Sequence, residues 1–256
     1  MAQEITVRGS MIAAAALAAG AALLSAQGPP VRVLCSNGVR AAVEEVLPQA
    51  EKAVGHKIAI QFSSSASLKQ RIDAGETFDA VILTPDLIDD LIKQGKVAAG
   101  SSTSLARAGI GVGIRSGTPK PDIGTAAAMK QALLQIKSVT YTKDGASRTH
   151  IEKMYERLGI AKDMAPKVIL QNMPGRAERV VAEGGADMVI TLVSEILPTP
   201  GVQLVGPLPG DLQNYISFAG GIGSKATDAA ASKALLKFLS SPAVAAAYKA
   251  KGMEPR

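Results

Sequence analysis

The chain has 256 residues, 47% hydrophobic and 20% charged, the balance of a globular protein with one large domain or two small ones. One Cys excludes an intramolecular disulfide and a cysteine zinc site, two His leave little for a histidine metal site, and 3% aromatics with no Trp argue against a base-stacking platform for nucleic acid. The net charge of +6 is scattered rather than gathered in a basic run, so it supplies a mild attraction for anions and no nucleic-acid patch.

Residues 1–26 have the layout of an export signal: Arg8 as a positive start, the apolar run Met11–Leu24, and small Ser25 and Ala26 for cleavage. The run is shorter than the roughly 20 residues that cross a bilayer. The mature product is therefore expected in the periplasm, where the lone Cys35 would survive by burial.

The remainder alternates strand-like and helix-like segments. Val31–Cys35 reads as a strand, Val39–Leu47 as a helix from its apolar spacing, Ile58–Phe62 as a strand, and Leu68–Ala74 as a helix. Ala80–Leu83 is a third strand, and helix Leu87–Gln94 stops at Gly95. This order favours a parallel sheet flanked by helices. The pattern restarts with strand Gly109–Arg115, helix Thr125–Ile136, strand Ser138–Tyr141 and helix Ser147–Leu158. Strand Lys167–Leu170, helix Pro174–Glu183, and strands Met188–Leu192, Val202–Val205 and Gln213–Gly221 follow, and helices Ala229–Leu239 and Ala243–Lys251 close the chain. The expectation is an α/β protein of two lobes, each a mostly parallel sheet flanked by helices, joined by two crossing strands. Lobe 1 takes residues 27–106 and 219–256, and lobe 2 takes 107–218.

Catalytic and cofactor signatures are sparse. There is no phosphate-binding G-x-x-x-x-G-K-[ST], no H-E-x-x-H and no G-x-S-x-G elbow, so no cofactor or metal is expected. Gly109, Gly111 and Gly113 lie inside a strand pattern rather than between strand and helix, which weighs against a dinucleotide loop. His56 reads as a solvated loop residue and His150 as a residue in the first turn of a helix.

Four polar junctions remain, each following a strand and opening a helix: Ser36-Asn37-Gly38, Ser63–Ser67, Gly145–Arg148 and Asn172–Arg176. Helix N-termini expose unpaired N–H groups and partial positive charge, and ligands of open α/β sheets sit at the C-terminal ends of strands. For any one junction alone, Ser and Asn that cap their own helix are the favoured reading. Two from each lobe suggest a shared cleft, to which Arg148 and Arg176 add cations suited to a carboxylate or another oxyanion.

These residues resemble the periplasmic solute-binding proteins of ABC transporters, in particular the molybdate-binding type (type II periplasmic binding proteins). The matching stretches are Val33–Gly38, Phe62–Leu68 with Ile72 and Gly75, Phe78–Thr84, Val181–Asp187 and Ala234–Pro242, with Gly252 near the end. The resemblance implies two lobes that close over a small anion and a permease in the membrane as partner. It implies no enzymatic step. It places an oxyanion-binding loop at 63–65. Gly38 stands where the family often has a ligand-binding Ser, and Leu192 stands where molybdate binders have a Tyr. Molybdate and a small organic carboxylate held partly by Arg148 are thus alternative ligands. The expected ligand-binding residues are Ser36, Asn37, Ser64, Ser65, Ser147, Arg148 and Thr191, in a monomer without nucleic-acid partners. The rival readings are a hydrolase using a cleft serine with His150, and a sensor with the same two lobes.

Overall fold

The computed structural model describes residues 28–256, so the expected signal segment lies outside the described residues. The first lobe begins with β1 (Val31–Ser36), flanked in parallel by β2 (Ile58–Ser63) and β3 (Ala80–Leu83). These strands alternate with α1 (Arg40–Val54), α2 (Ser65–Asp73) and α3 (Pro85–Lys93). A single strand, β4 (Thr103–Arg115), then runs from this lobe into the other. In the second lobe β5 (Val139–Thr142) pairs in parallel with β6 (Val168–Gln171) and β7 (Met188–Leu192). Its helices are α4 (Ala126–Gln135), α5 (Arg148–Arg157), the one-turn α6 (Ala161–Met164), α7 (Arg176–Ala182) and the one-turn α8 (Val193–Ile196). After β8 (Val202–Pro207) the chain returns through β9 (Tyr215–Ile222), α9 (Ala229–Leu239), α10 (Ala245–Ala250) and β10 (Met253–Pro255).

β4 divides its partners by position. Its residues Thr103–Gly109 pair with β9 in the first lobe, while Ile110–Ile114 pair with β7 and Gly111–Arg115 with β8 in the second. The lobes therefore meet at Gly109–Ile110 and at the return segment Leu208–Asn214, upstream of the expected 218/219 boundary. The Gln213 side chain clasps this crossing: its amide oxygen accepts from Ile110 N–H at 2.9 Å, and its Nε2 donates to the Ile110 carbonyl at 2.9 Å. Gly111 and Gly113 serve close packing: a Cβ on either would stand 2.8–2.9 Å from Val193, Val189 or Val202 methyls.

Burial of β1, β3 and β7 on both faces explains their continuous apolar runs, as strands between helix layers require. The free Cys35 is buried there. Asp79, 2% exposed, opens β3 and accepts from Arg32 N–H at 2.8 Å, Arg32 Nε at 3.1 Å and Thr227 N–H at 2.7 Å. Burial opposes its charge, but these bonds prevail and hold the carboxyl below its ordinary value.

Several elements differ from the sequence expectation for local reasons. α1 continues past Leu47 and through Pro48 to Val54, ending at Gly55 with φ +76°. α7 begins at Arg176 rather than Pro174, because Gly175 adopts φ +74° and interrupts the helix. β4 starts six residues earlier than Gly109, where its first half mixes exposed and buried residues and packs against α9. The one-turn α6 and α8 and the short β10 are too brief to leave a periodic signal.

Candidate ligand-binding cleft

The serine junctions of the first lobe are built by strand ends turning into helices. β1 ends at Ser36 and passes through one 3-10 turn, Asn37–Val39, into α1. β2 ends at Ser63, and Ser64 takes extended geometry as the cap of α2, its hydroxyl accepting from Ser67 N–H at 3.0 Å. Ser65, in the first turn, donates to the Ser36 hydroxyl at 2.9 Å. The amides of Ser65 and Ala66 have no backbone acceptor among the described residues, and α2 adds its dipole behind them. In the second lobe the turn Asp144–Ser147 precedes α5 and leaves the Ala146 and Ser147 amides without a backbone acceptor.

These ends face each other. A crevice of about 30 Å³, room for one water, is lined by Ser36, Asn37, Gly38, Ser64 and Ser65 on one side and by Thr142, Gly145–Ser147, Thr191, Leu192 and Glu195 on the other. It adjoins a chamber of about 530 Å³ that shares Ser65, Gly145 and Ala146 and adds Thr84, Asp86, Asp144, Thr149, His150 and Tyr215. The lobes are tied across it. The Ser64 hydroxyl donates to Asp144 Oδ2 at 2.6 Å and the Ser194 hydroxyl to the Gly38 carbonyl at 2.7 Å.

The floor of the crevice is apolar. Phe218 and Leu192, 1% and 3% exposed, close over Gly38 so tightly that a Cβ there would stand 2.3 Å from Phe218 Cζ and 2.8 Å from Leu192 Cδ1. The two departures from the molybdate-binding pattern, Gly38 and Leu192, are thus one packing unit.

Six of the seven residues expected to bind ligand, Ser36, Asn37, Ser64, Ser65, Ser147 and Thr191, line this crevice. Arg148 does not. Its Nε donates to Glu152 and its Nη1 to the Lys143 carbonyl, both at 2.8 Å, because the first turn of α5 aims it along its own helix. Arg176 pairs with Glu183 at 3.0 Å in the same way. Among the described residues no lysine or arginine lines the crevice or the chamber. Anionic charge in the cleft would be met by amides, hydroxyls and helix dipoles alone.

The Thr191 hydroxyl donates to Glu195, whose charge the nearby Leu192 N–H and Asn37 side chain also favour. Burial raises the Glu195 carboxyl nonetheless, against the pull of those bonds. Behind it, burial and then the Glu195 charge push Glu178 up to about 8, and Glu178 Oε2 is buried without a partner among the described residues. The His150 ring meets the Asn214 amide, and among the described residues no serine hydroxyl reaches it as a hydrolase would require. Burial, then Lys153, lowers the His150 pKa, which favours the neutral ring. His56 lies 3.5 Å from Asp228.

Sequence reasoning missed Asp144, Glu195, Phe218 and Thr84. The Asp144-Gly145 pair is a turn signal that could have extended the third junction by one residue. Glu195 reaches back to the N-cap amide as a capping box does, but Leu192 in place of Ser or Thr hides that signature. Among the described residues no group of three or more His, Cys, Asp or Glu could hold a metal ion, and no helix is long and apolar enough to cross a membrane.

Comparison with known proteins agrees with this architecture. The family described as bacterial extracellular solute-binding protein matches residues 31–254. A Pseudomonas protein named aconitate isomerase is 33% identical over 249 residues, 94% of each chain. The molybdate-binding protein ModA of Azotobacter vinelandii is 25% identical over 245 residues, 93% of this chain and 94% of that one. The solved periplasmic molybdate-binding protein of Azotobacter vinelandii superposes with a TM-score of 0.75 at 18% identity, covering 87% of this chain and 98% of its own. Two lobes, a cleft at their strand ends and a match across nearly the whole described chain lead to one assignment: the chain belongs to the bacterial extracellular solute-binding protein family.

Proposed function

We propose that this protein is a periplasmic binding protein that captures a small organic carboxylate by closure of its lobes and presents it to an ABC permease. The observation that carries this reading is the composition of the crevice: an apolar floor of Leu192 and Phe218 over Gly38, under a rim of serine hydroxyls and unpaired amides. The rim suits the charge of an anion, and the floor suits a carbon skeleton better than a fourth oxo group. Similarity to a protein named aconitate isomerase supports the carboxylate over molybdate. Closure would bring Ser36, Asn37, Ser64 and Ser65 against Ser147 and Thr191, exclude water and strengthen each hydrogen bond. Opening would occur at Gly109–Ile110 and Leu208–Asn214.

A thermal-shift panel of tricarballylate, citrate, cis-aconitate, trans-aconitate, malate, succinate, molybdate, tungstate and sulfate tests the reading. A true ligand at 100 times its Kd adds about 2.7 kcal/mol of stability. A shift with a carboxylate and none with molybdate is the expected result. A shift with molybdate alone refutes the carboxylate assignment, and no shift with any anion refutes anion capture.

A second reading, isomerisation of an unsaturated carboxylate, is favoured by the same Pseudomonas relative and by the carboxylates Asp144 and Glu195 in the cleft, which can accept a proton. Proton NMR of cis-aconitate incubated with the protein in D₂O decides it: conversion to the trans isomer establishes turnover, and an unchanged spectrum with measurable binding leaves a pure binding protein.

A further inference from the structure

We propose that Asp144 is a specificity-determining acceptor in the cleft, and that the ligand is a small organic anion bearing a hydrogen-bond donor of its own. This deepens the binding-protein reading and rests on it. Asp144 stands in the turn between β5 and α5 and reaches across to the first lobe, where Oδ2 accepts from the Ser64 hydroxyl. Its other oxygen, Oδ1, is buried and has no partner among the described residues. Among the described residues no lysine or arginine lies within ion-pairing distance of it: the adjacent Lys143 makes no ion pair with it, and Arg148 is engaged by Glu152 and the Lys143 carbonyl.

A carboxylate oxygen only accepts, and leaving one buried and unpaired is costly. Among the described residues no donor relieves it. Asp144 itself lines the chamber, whose other polar lining includes Thr84, Asp86 and Thr149 and no lysine or arginine. The cleft is therefore asymmetric. The unpaired amides of Ser65, Ala66, Ala146 and Ser147 are donors and suit the ligand's charge. Asp144 is an acceptor and suits a proton on the ligand, as a hydroxyl or an un-ionised acid group supplies. An anion without one would place a second negative oxygen against Oδ1 with nothing to share, and a site built around a hydroxyl discriminates strongly against the analogue that lacks it. Fully deprotonated tetrahedral dianions are rejected for the same reason.

The test compares probes that differ by one hydroxyl, citrate against tricarballylate and malate against succinate, by isothermal titration on the wild type and on Asp144→Asn. The amide oxygen of Asn keeps an acceptor for Ser64, and circular dichroism checks that the variant is folded. The wild type should bind the hydroxylated member of a pair about tenfold or more tightly. D144N, which adds a donor beside the ligand, should cut that preference to about threefold or less. Equal affinities within both pairs for the wild type, or an undiminished preference in D144N, overturn the role of Asp144 and leave carboxylate binding standing. Binding by none of the probes overturns the carboxylate reading on which the role rests.

Discussion

Replacing Gly38 by Ala tests the packing unit that sets the cleft floor. The new Cβ would stand 2.3 Å from Phe218 Cζ and 2.8 Å from Leu192 Cδ1, both inside any real carbon–carbon contact. Phe218 is 1% exposed and Leu192 3%, so neither side chain has open space to retreat into. Overpacking of this kind costs about 1–3 kcal/mol, and two simultaneous clashes place G38A toward the upper end. For a chain of this size that lowers Tm by roughly 6–12 °C. Phe218→Ala alone costs about 3–5 kcal/mol through the cavity it leaves. In the double variant the methyl enters space the ring has vacated, so the combined loss should fall short of the sum by about 1–3 kcal/mol. Urea unfolding of the four proteins measures the cycle. Additivity within about 0.5 kcal/mol would show that Gly38 and Phe218 do not compete for one volume, and would refute the ring's part in the floor over Gly38.

Other outcomes follow from the same geometry. Arg148→Ala should leave ligand affinity within about threefold and cost about 1 kcal/mol of stability or less, since it removes a pair along the helix and an exposed hydrogen bond to the Lys143 carbonyl; a loss of binding in titration would return the guanidinium to the cleft. Ser64→Ala should destabilise by about 0.5–2 kcal/mol in thermal unfolding, because it deletes the cap on Ser67 N–H together with the tie to Asp144; unchanged stability refutes that double role. Glu178 has its carboxyl raised from 4.5 to about 8, so the neutral group's stabilisation is complete below about pH 4.5 and disappears as pH rises through about 8. Wild-type stability should therefore decline across that window, and Glu178→Gln should gain about 1–3 kcal/mol relative to the wild type between pH 5 and 8; parallel stability profiles for the two proteins contradict the assignment.

The fold was legible where the chemistry is local and periodic. β1, β3 and β7 announce themselves as apolar β-rich runs, and α9 as an amphipathic stretch, because each buries a continuous face. The serine junctions were legible because a hydroxyl after a strand and before a helix has a mechanism, capping, that also exposes amides. Arg148 was misplaced because its partners, Glu152 and the Lys143 carbonyl, depend on side-chain direction in the first helical turn. The cleft floor was invisible for another reason: Gly38, Leu192 and Phe218 are far apart in the chain, and only the register of β9 against β3 and β4 brings the ring onto the glycine. Asp144 needed both lobes to be placed before its oxygen could be seen facing Ser64.

The central claim is that this cleft takes an organic carboxylate rather than a tetrahedral oxometalate. Isothermal titration of one preparation of the protein with citrate, tricarballylate, cis- and trans-aconitate and molybdate tests it most directly. The account predicts one-to-one binding of a carboxylate, with molybdate weaker by at least about a hundredfold, a difference of about 2.8 kcal/mol. Tight molybdate binding with no heat from any carboxylate would contradict it, and would mean that the Leu192–Phe218 floor over Gly38 opens to admit a fourth oxygen.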